Sequence, residues 1–277
     1  MSDHSTELDF AVQAARLGGR IAMGHFGRDP RTERKDDGSW VSEADWAVEA
    51  QIRLRIARAF PHHNVLGEEE GLTAAGGGAP DPAAPTWIVD PIDGTNNYLA
   101  GIPIWATLVA LEVDGRSVLG VAHAPALGET YDAADGSGAR LNGATIGVSN
   151  VDTLEEAAVM FAGVDGFRAV GLDDFFRALT TRCGRSRGFG DFWGHMLVAR
   201  GAAEVMVEPA ISHWDAAALE PIVREAGGVL THLDGSRWDG DGSCLTTNGA
   251  LHDEVVRLAA DTSPDWTEER SAGAEWD

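Results

Sequence analysis

The sequence predicts a mixed α/β protein with helices layered on sheet, and three observations carry that prediction. The first half reads as two amphipathic helices followed by antiparallel strands. After about Gly147 the pattern changes to strands that alternate with helices. With 277 residues, 44% hydrophobic and 23% charged, the chain can bury a continuous core without disulfide or metal staples.

Taken in order, Leu8, Ala11, Val12 and Ala15 recur at helical spacing. A second helix starts at Ser42, with Asp45 placed as in a capping box and Ala44, Val48, Ile52 and Ile56 marking one face. Residues 73–86, TAAGGGAPDPAAPT, are too rich in Gly, Pro and Ala for an element interior and read as a surface loop. The run Trp87-Ile88-Val89-Asp90 reads as a buried strand. Strands follow at 104–113, 118–124 and 129–133, the first two joined by a tight turn at Asp114-Gly115. Beyond them, strands are predicted at 158–162, 204–207 and near 244–246, with helices near 173–181, 191–200 and 251–260. The segment WDAAALEPIVREAGG reads as one helix, capped by Asp215 and stopped at Gly227-Gly228. The implied division is an N-terminal half over 1–146, a C-terminal half over 147–260 carrying Asp215, and a disordered acidic tail over 261–277.

The net charge of −23 repels phosphate backbones and argues against nucleic-acid binding. An anionic small substrate would need a local cationic site, which in so acidic a chain points to bound metal. Two cysteines, Cys183 and Cys244, are too few for a disulfide scaffold or a cysteine-based zinc site. The N-terminus has no basic region before an apolar core, and no stretch approaches the ~20 apolar residues that span a bilayer. The expectation is a cytoplasmic protein without membrane partners.

Three places carry the chemistry. Glu68, Glu69 and Glu70 follow Val65-Leu66; an acidic run is also what a solvated surface looks like. Asp90-Pro91-Ile92-Asp93-Gly94-Thr95 follows WIV. Pro91 fixes the backbone so that Asp90, Asp93 and the Ile92 carbonyl can converge, and such an all-oxygen set suits Mg²⁺. A plain Asp-Gly turn is the bland alternative. If a short helix begins at Thr95, the amides of Gly94 and Thr95 add an anion site beside those carboxylates. The third place is Asp215, as a functional carboxylate or only a helix cap.

GEE at 67–69, WIVDPIDGTNNY at 87–98 and WDAAALEPIVREAGG at 214–228 resemble, in order and spacing, the three signatures of the inositol monophosphatase family. The resemblance spans roughly residues 5 to 260. RGFGDFWGHMLVARGAAEVMVE at 187–208, with the following WDAAAL, resembles the histidinol-phosphate phosphatase branch.

The resemblance implies an alternating αβαβα sandwich of the inositol monophosphatase and fructose-1,6-bisphosphatase type. It implies two or three Mg²⁺ ions, with Glu68, Asp90, the Ile92 carbonyl, Asp93 and Asp215 as ligands. Asp45 and Thr95 match the pair that orients the attacking water, with Asp45 accepting from the Thr95 hydroxyl and Glu68 nearby; Ser42 stands where the family has Thr. Glu43 matches a weaker third metal position. Phosphate would meet Asp93, Gly94 and Thr95, and the leaving alcohol would meet Gly190, Asp191, Glu208 and Asp215. Asp191 reads equally as a helix cap before Phe192. The substrate is then a small phosphate monoester, L-histidinol phosphate by branch. Inositol phosphate, a sugar phosphate or a 3′-phosphonucleotide are alternatives, as is a non-catalytic regulator that kept the fold. By family analogy the chain is a homodimer.

Overall fold

The computed structural model describes residues 4–28, 30–35 and 38–263. They fall into two compact units, Met1–Ile146 with Trp214–Glu225, and Gly147–His213 with the chain from Ala226 onward. Residues 214–225, expected in the C-terminal half, therefore belong to the first unit.

The first unit contains α1 (Ser5–His25), β1 (Thr32–Arg34), β2 (Trp40–Ser42), α2 (Glu43–Ala59), β3 (Asn64–Gly67), β4 (Gly71–Ala74), β5 (Thr86–Asp93) and α3 (Thr95–Leu99). The run β6 (Ala106–Val113), β7 (Arg116–Ala124), β8 (Glu129–Ala134), β9 (Arg140–Leu141) and β10 (Ala144–Thr145) follows. The elements β11 (Ala158–Phe161), α4 (Val164–Ala169), α5 (Asp173–Arg182), β12 (Arg185–Gly188), α6 (Asp191–Ala199) and β13 (Val205–Ile211) come next. The chain continues through α7 (His213–Ala216), α8 (Leu219–Glu225), β14 (Val229–Thr231), β15 (Gly242–Thr247) and α9 (His252–Thr262).

In the first unit an eight-stranded sheet has the order β10-β9-β8-β7-β6-β5-β3-β4, antiparallel throughout except for β3 beside β5. Its residues alternate between faces. Leu119 and Val121 join Val48, Ile52 and Ile56 of α2 and Leu8, Ala11 and Ala15 of α1 in one core. Gly120, between them, faces the other way, and a Cβ there would overlap the Ala218 carbonyl oxygen next to α8. Helices thus cover both faces. The Asp114-Gly115 turn holds φ of 52° and 68°, and Val113 pairs with Arg116 as a two-residue hairpin requires.

The second unit repeats the layering on a five-stranded sheet ordered β12-β11-β13-β15-β14. Val159, Val205 and Val207 pack against Phe175 and Leu179 of α5 and Val255 and Leu258 of α9. Their neighbours Ala158, Met160 and Met206 point to the opposite face, against Leu197 and Val198 of α6.

Three expectations need correction. The predicted helix from Asp215 is broken into α7 and α8, and Asp215 sits inside α7 rather than at the start of one continuous helix. Pro221 is the reason: it has no N–H for the Ala217 carbonyl, and its ring would clash there, so the helix cannot run continuously through 217–218. The 73–86 loop is shorter, because Thr73 and Ala74 lie in β4 and Thr86 starts β5. α9 reaches Thr262, so the first residues of the expected tail are helical; the rest of that prediction falls outside the described residues. Among the described residues no helix is long and apolar enough to cross a membrane.

Gly120→Ala is expected to lower stability by about 1–3 kcal/mol, the usual cost of overpacking, read as a shift of the urea midpoint. A variant as stable as the wild type would show that residues 214–225 are not seated on β7.

Candidate active site

Asp90 and Asp93 lie at the end of β5. Three residues apart on a regular strand, their side chains would point to opposite faces. The ladder to β6 is interrupted here: Asp90 pairs with Leu108 and Asp93 with Ala106, so three steps on β5 match two on β6. This one-residue bulge returns both carboxylates to one face. Pro91 suits the bulge because it has no N–H to pair. Its carbonyl accepts a hydrogen bond from Thr107 Oγ1 at 2.9 Å, and Ile92 N donates to Asp90 Oδ1 at 2.9 Å, which fixes the carboxylate.

The α7 segment adds Asp215 to the same unit. One carboxylate oxygen from each of Asp90, Asp93 and Asp215 lies within 4.8 Å of the others. Glu68 leaves β3 beside this cluster, with Gly67 paired to Val89 and Glu68 N donating to Val89 O at 3.3 Å. Burial, then the charges of Glu68, Asp93, Asp215 and Asp45, hold the Asp90 carboxyl well above the usual carboxylate range.

Asp45 is fixed by the predicted capping box. Ser42 N and Ser42 Oγ donate to its Oδ2 at 2.8 and 2.6 Å, while Ser42 Oγ accepts from Ala44 N at 3.2 Å. Its other oxygen, Oδ1, is buried without a hydrogen-bond partner. Burial pushes the Asp45 carboxyl up to about 6 against the two Ser42 hydrogen bonds. The Thr95 hydroxyl donates to the Ile92 carbonyl at 2.9 Å, so the expected bond from Thr95 to Asp45 is not formed here. Gly94 is the N-cap of α3 with φ 82°, a left-handed conformation that a residue without Cβ adopts freely. Glu43, the residue the resemblance implied for a weaker third metal, is paired with Arg31 at 3.0 Å.

A hard divalent cation fits these residues. The donor set is all oxygen, Asp90 is held against its own charge by neighbouring carboxylates, and Asp45 Oδ1 has no donor among the described residues. Lys35 is the counter-charge that sequence reasoning did not find: its Nζ bonds Glu68 Oε1 at 2.7 Å and Glu69 Oε1 at 2.9 Å. Burial alone would lower its pKa, but the two carboxylates outweigh burial and hold it above the ordinary lysine value. Nothing in the sequence pairs residues 35 and 68, because only folding of the β1–β2 hairpin brings them together.

In the second unit, Gly190 is the N-cap of α6 and makes no side-chain cap. Asp191 opens that helix with φ 51°, so it is not the simple cap residue considered above. Glu208 on β13 is 5% exposed, and its Oε1 accepts from Asp191 N at 3.2 Å.

The family model described as the inositol monophosphatase family matches residues 3–263. A histidinol-phosphatase of Mycobacterium tuberculosis is 42% identical over 256 residues, covering 90% of this chain and 96% of its own length. A fructose-1,6-bisphosphatase/inositol-1-monophosphatase of Thermotoga maritima is 35% identical over 254 residues, covering 91% and 94%. The solved structure of a Thermotoga maritima IMPase superposes with a TM-score of 0.83 at 33% identity, over 94% of this chain and 99% of that one. This likeness bears out the layered α/β expectation.

The electrostatics make a signed prediction. A carboxyl whose folded pKa is raised contributes stability below its unfolded value, and that contribution is lost as pH rises through the folded value. Metal-free Asp90→Asn is therefore expected to melt above the metal-free wild type at pH ~8, with a gap that narrows on acidification, and to lose most of the stabilisation that Mg²⁺ gives the wild type. A lower midpoint than wild type at pH ~8, or equal stabilisation of both by Mg²⁺, would contradict the site.

Proposed function

The chain belongs to the inositol monophosphatase family, and from that premise we propose that it is a Mg²⁺-dependent phosphatase that hydrolyses L-histidinol phosphate to L-histidinol and phosphate. The chain is a phosphoric monoester hydrolase of a metal-dependent family. The observation that carries the substrate is the 42% identity, over nine-tenths of the chain, to a histidinol-phosphatase. The acidic pair Asp191 and Glu208 supports the same reading, because a cationic amino alcohol gains roughly 1.5–3 kcal/mol from each hydrogen bond to a charged group.

The residues proposed to hold two or three Mg²⁺ ions are Glu68, Asp90, Asp93 and Asp215, with the Ile92 carbonyl. When bound, such ions neutralise charge on the phosphoryl oxygens and make water a better nucleophile. The rest falls to the chain. Asp45, raised to about 6, is proposed as the proton acceptor, because Oδ1 is its unpaired oxygen while Ser42 holds Oδ2 in place. The Thr95 hydroxyl spends its proton on the Ile92 carbonyl, which leaves its oxygen at the same end of β5 to accept a hydrogen bond from the attacking water. The amides of Gly94 and Thr95 are proposed to receive a phosphate oxygen together with Asp93, and Gly190, Asp191 and Glu208 are proposed to receive the leaving alcohol. No protein nucleophile is needed, since positioning and charge neutralisation supply most of the acceleration in phosphoryl transfer. Hydrolysis of inositol 1-phosphate by the same residues is the second reading, supported by the Thermotoga maritima relative. Location in the cytoplasm as a homodimer belongs to the same proposal, by family analogy.

Phosphate release with Mg²⁺ tests the proposal. Histidinol phosphate is expected to exceed inositol 1-phosphate by about 100-fold or more in kcat/KM, ~2.7 kcal/mol of differential binding, and EDTA is expected to abolish release. Comparable slow turnover of both would remove the substrate assignment, and release indifferent to EDTA would remove the mechanism. Asp93→Asn should abolish turnover while circular dichroism and the melting midpoint show a folded protein; wild-type turnover in that variant would take Asp93 out of the site.

A further inference from the structure

His195 is fully buried, yet nothing above uses it. It lies on α6 four residues after Asp191, one helical turn on, so both residues fall on one side of that helix. The helix is seated on β13 by Gly194, where a Cβ would overlap the sulfur of Met206. That close approach brings the imidazole beside Glu208.

The contacts form one chain. His195 Nδ1 lies 2.8 Å from Thr246 Oγ1 and Nε2 lies 3.4 Å from Glu208 Oε2, while Glu208 Oε1 accepts from Asp191 N at 3.2 Å. A carboxylate only accepts, so the Nε2 proton points to Glu208, and the Thr246 hydroxyl pairs with Nδ1 and holds the ring in that orientation. Both ring nitrogens and both Glu208 oxygens then have a partner. Glu208 is gripped at both oxygens by the two ends of one helical turn, and the same grip holds the Asp191 amide where its φ of 51° would otherwise be costly.

We propose that His195 is a positioning residue for leaving-group recognition: it orients Glu208, and through Glu208 the start of α6 at Asp191, so that the two carboxylates form a fixed receptor for a cationic alcohol. This rests on the proposed function, in which Asp191 and Glu208 meet the leaving group. A buried histidine packed only for shape would affect every substrate alike. A positioning histidine affects the substrate whose charged group uses the receptor.

The test compares histidinol phosphate with β-glycerophosphate, which has no amine, on His195→Leu and His195→Gln. Gln keeps a donor near the position of Nε2; Leu does not. In His195→Leu, KM for histidinol phosphate is expected to rise about tenfold or more, the scale of one hydrogen bond to a charged group, with kcat and the KM for β-glycerophosphate within about twofold of wild type. His195→Gln is expected to recover most of that KM. Parallel losses on both substrates, or an unchanged KM for histidinol phosphate, would overturn the proposal. If His195→Leu does not fold, Thr246→Val decides instead. It removes only the hydroxyl that orients the ring and is expected to raise the same KM selectively; no selective rise would overturn the role. A wild-type enzyme inactive on histidinol phosphate would remove the substrate reading itself, and with it this role. Wild-type activity with unselective variants removes the role of His195 alone.

Discussion

Like charges packed together out of water are the constraint on which the site depends. Asp90 is 1% exposed and Asp93 7%, and both lie within reach of Asp215. Without a compensating cation such a cluster works against folding, because burial and mutual repulsion both disfavour the ionised forms. Large hydrophobic layers offset part of that cost, and a divalent cation bound by the cluster would offset more. Part of the compensation is internal: Lys35 bridges Glu68 and Glu69 at the edge of the cluster.

Holding those charges in place takes a scaffold fixed at several independent points. The bulge at Pro91 and Ile92 turns two carboxylates toward one face, and Thr107 pins the bulge from β6. Asp45 is held by a helix cap, so the same hydrogen bonds that start α2 orient the carboxylate proposed as proton acceptor. Asp215 arrives on a segment that reaches its place only because Gly120 leaves room for the Ala218 carbonyl and Pro221 breaks the helix just before α8. Strained or crowded positions thus gather where function needs them, at the expense of local regularity.

Much of this was legible in the chain. Helical periodicity placed α1 and α2 with the face that is buried, and the Ser42 and Asp45 spacing gave the cap that forms. Apolar runs placed β5 to β8 within about two residues, apart from the longer C-terminal end of β5, because their patterns are local. What stayed hidden was non-local or masked by composition. β12 reads RSRG, an exposed edge strand with no apolar signal. The break in the Asp215 segment was visible at Pro221 but outweighed by the alanines around it. Lys35 with Glu68, and His195 with Glu208 and Thr246, are pairings made by tertiary packing, and no spacing rule contains them.

The central claim is that carboxylates from separate parts of the chain form one divalent-cation site. Binding of Mn²⁺ followed by electron paramagnetic resonance tests it most directly, in the wild type, Asp93→Asn and Asp215→Asn, with Mg²⁺ as competitor. The account predicts saturable binding that Mg²⁺ displaces, weakened by about tenfold or more, ~1.4 kcal/mol, in both variants alike. Absence of saturable binding in the wild type, or full affinity in either variant, would contradict it.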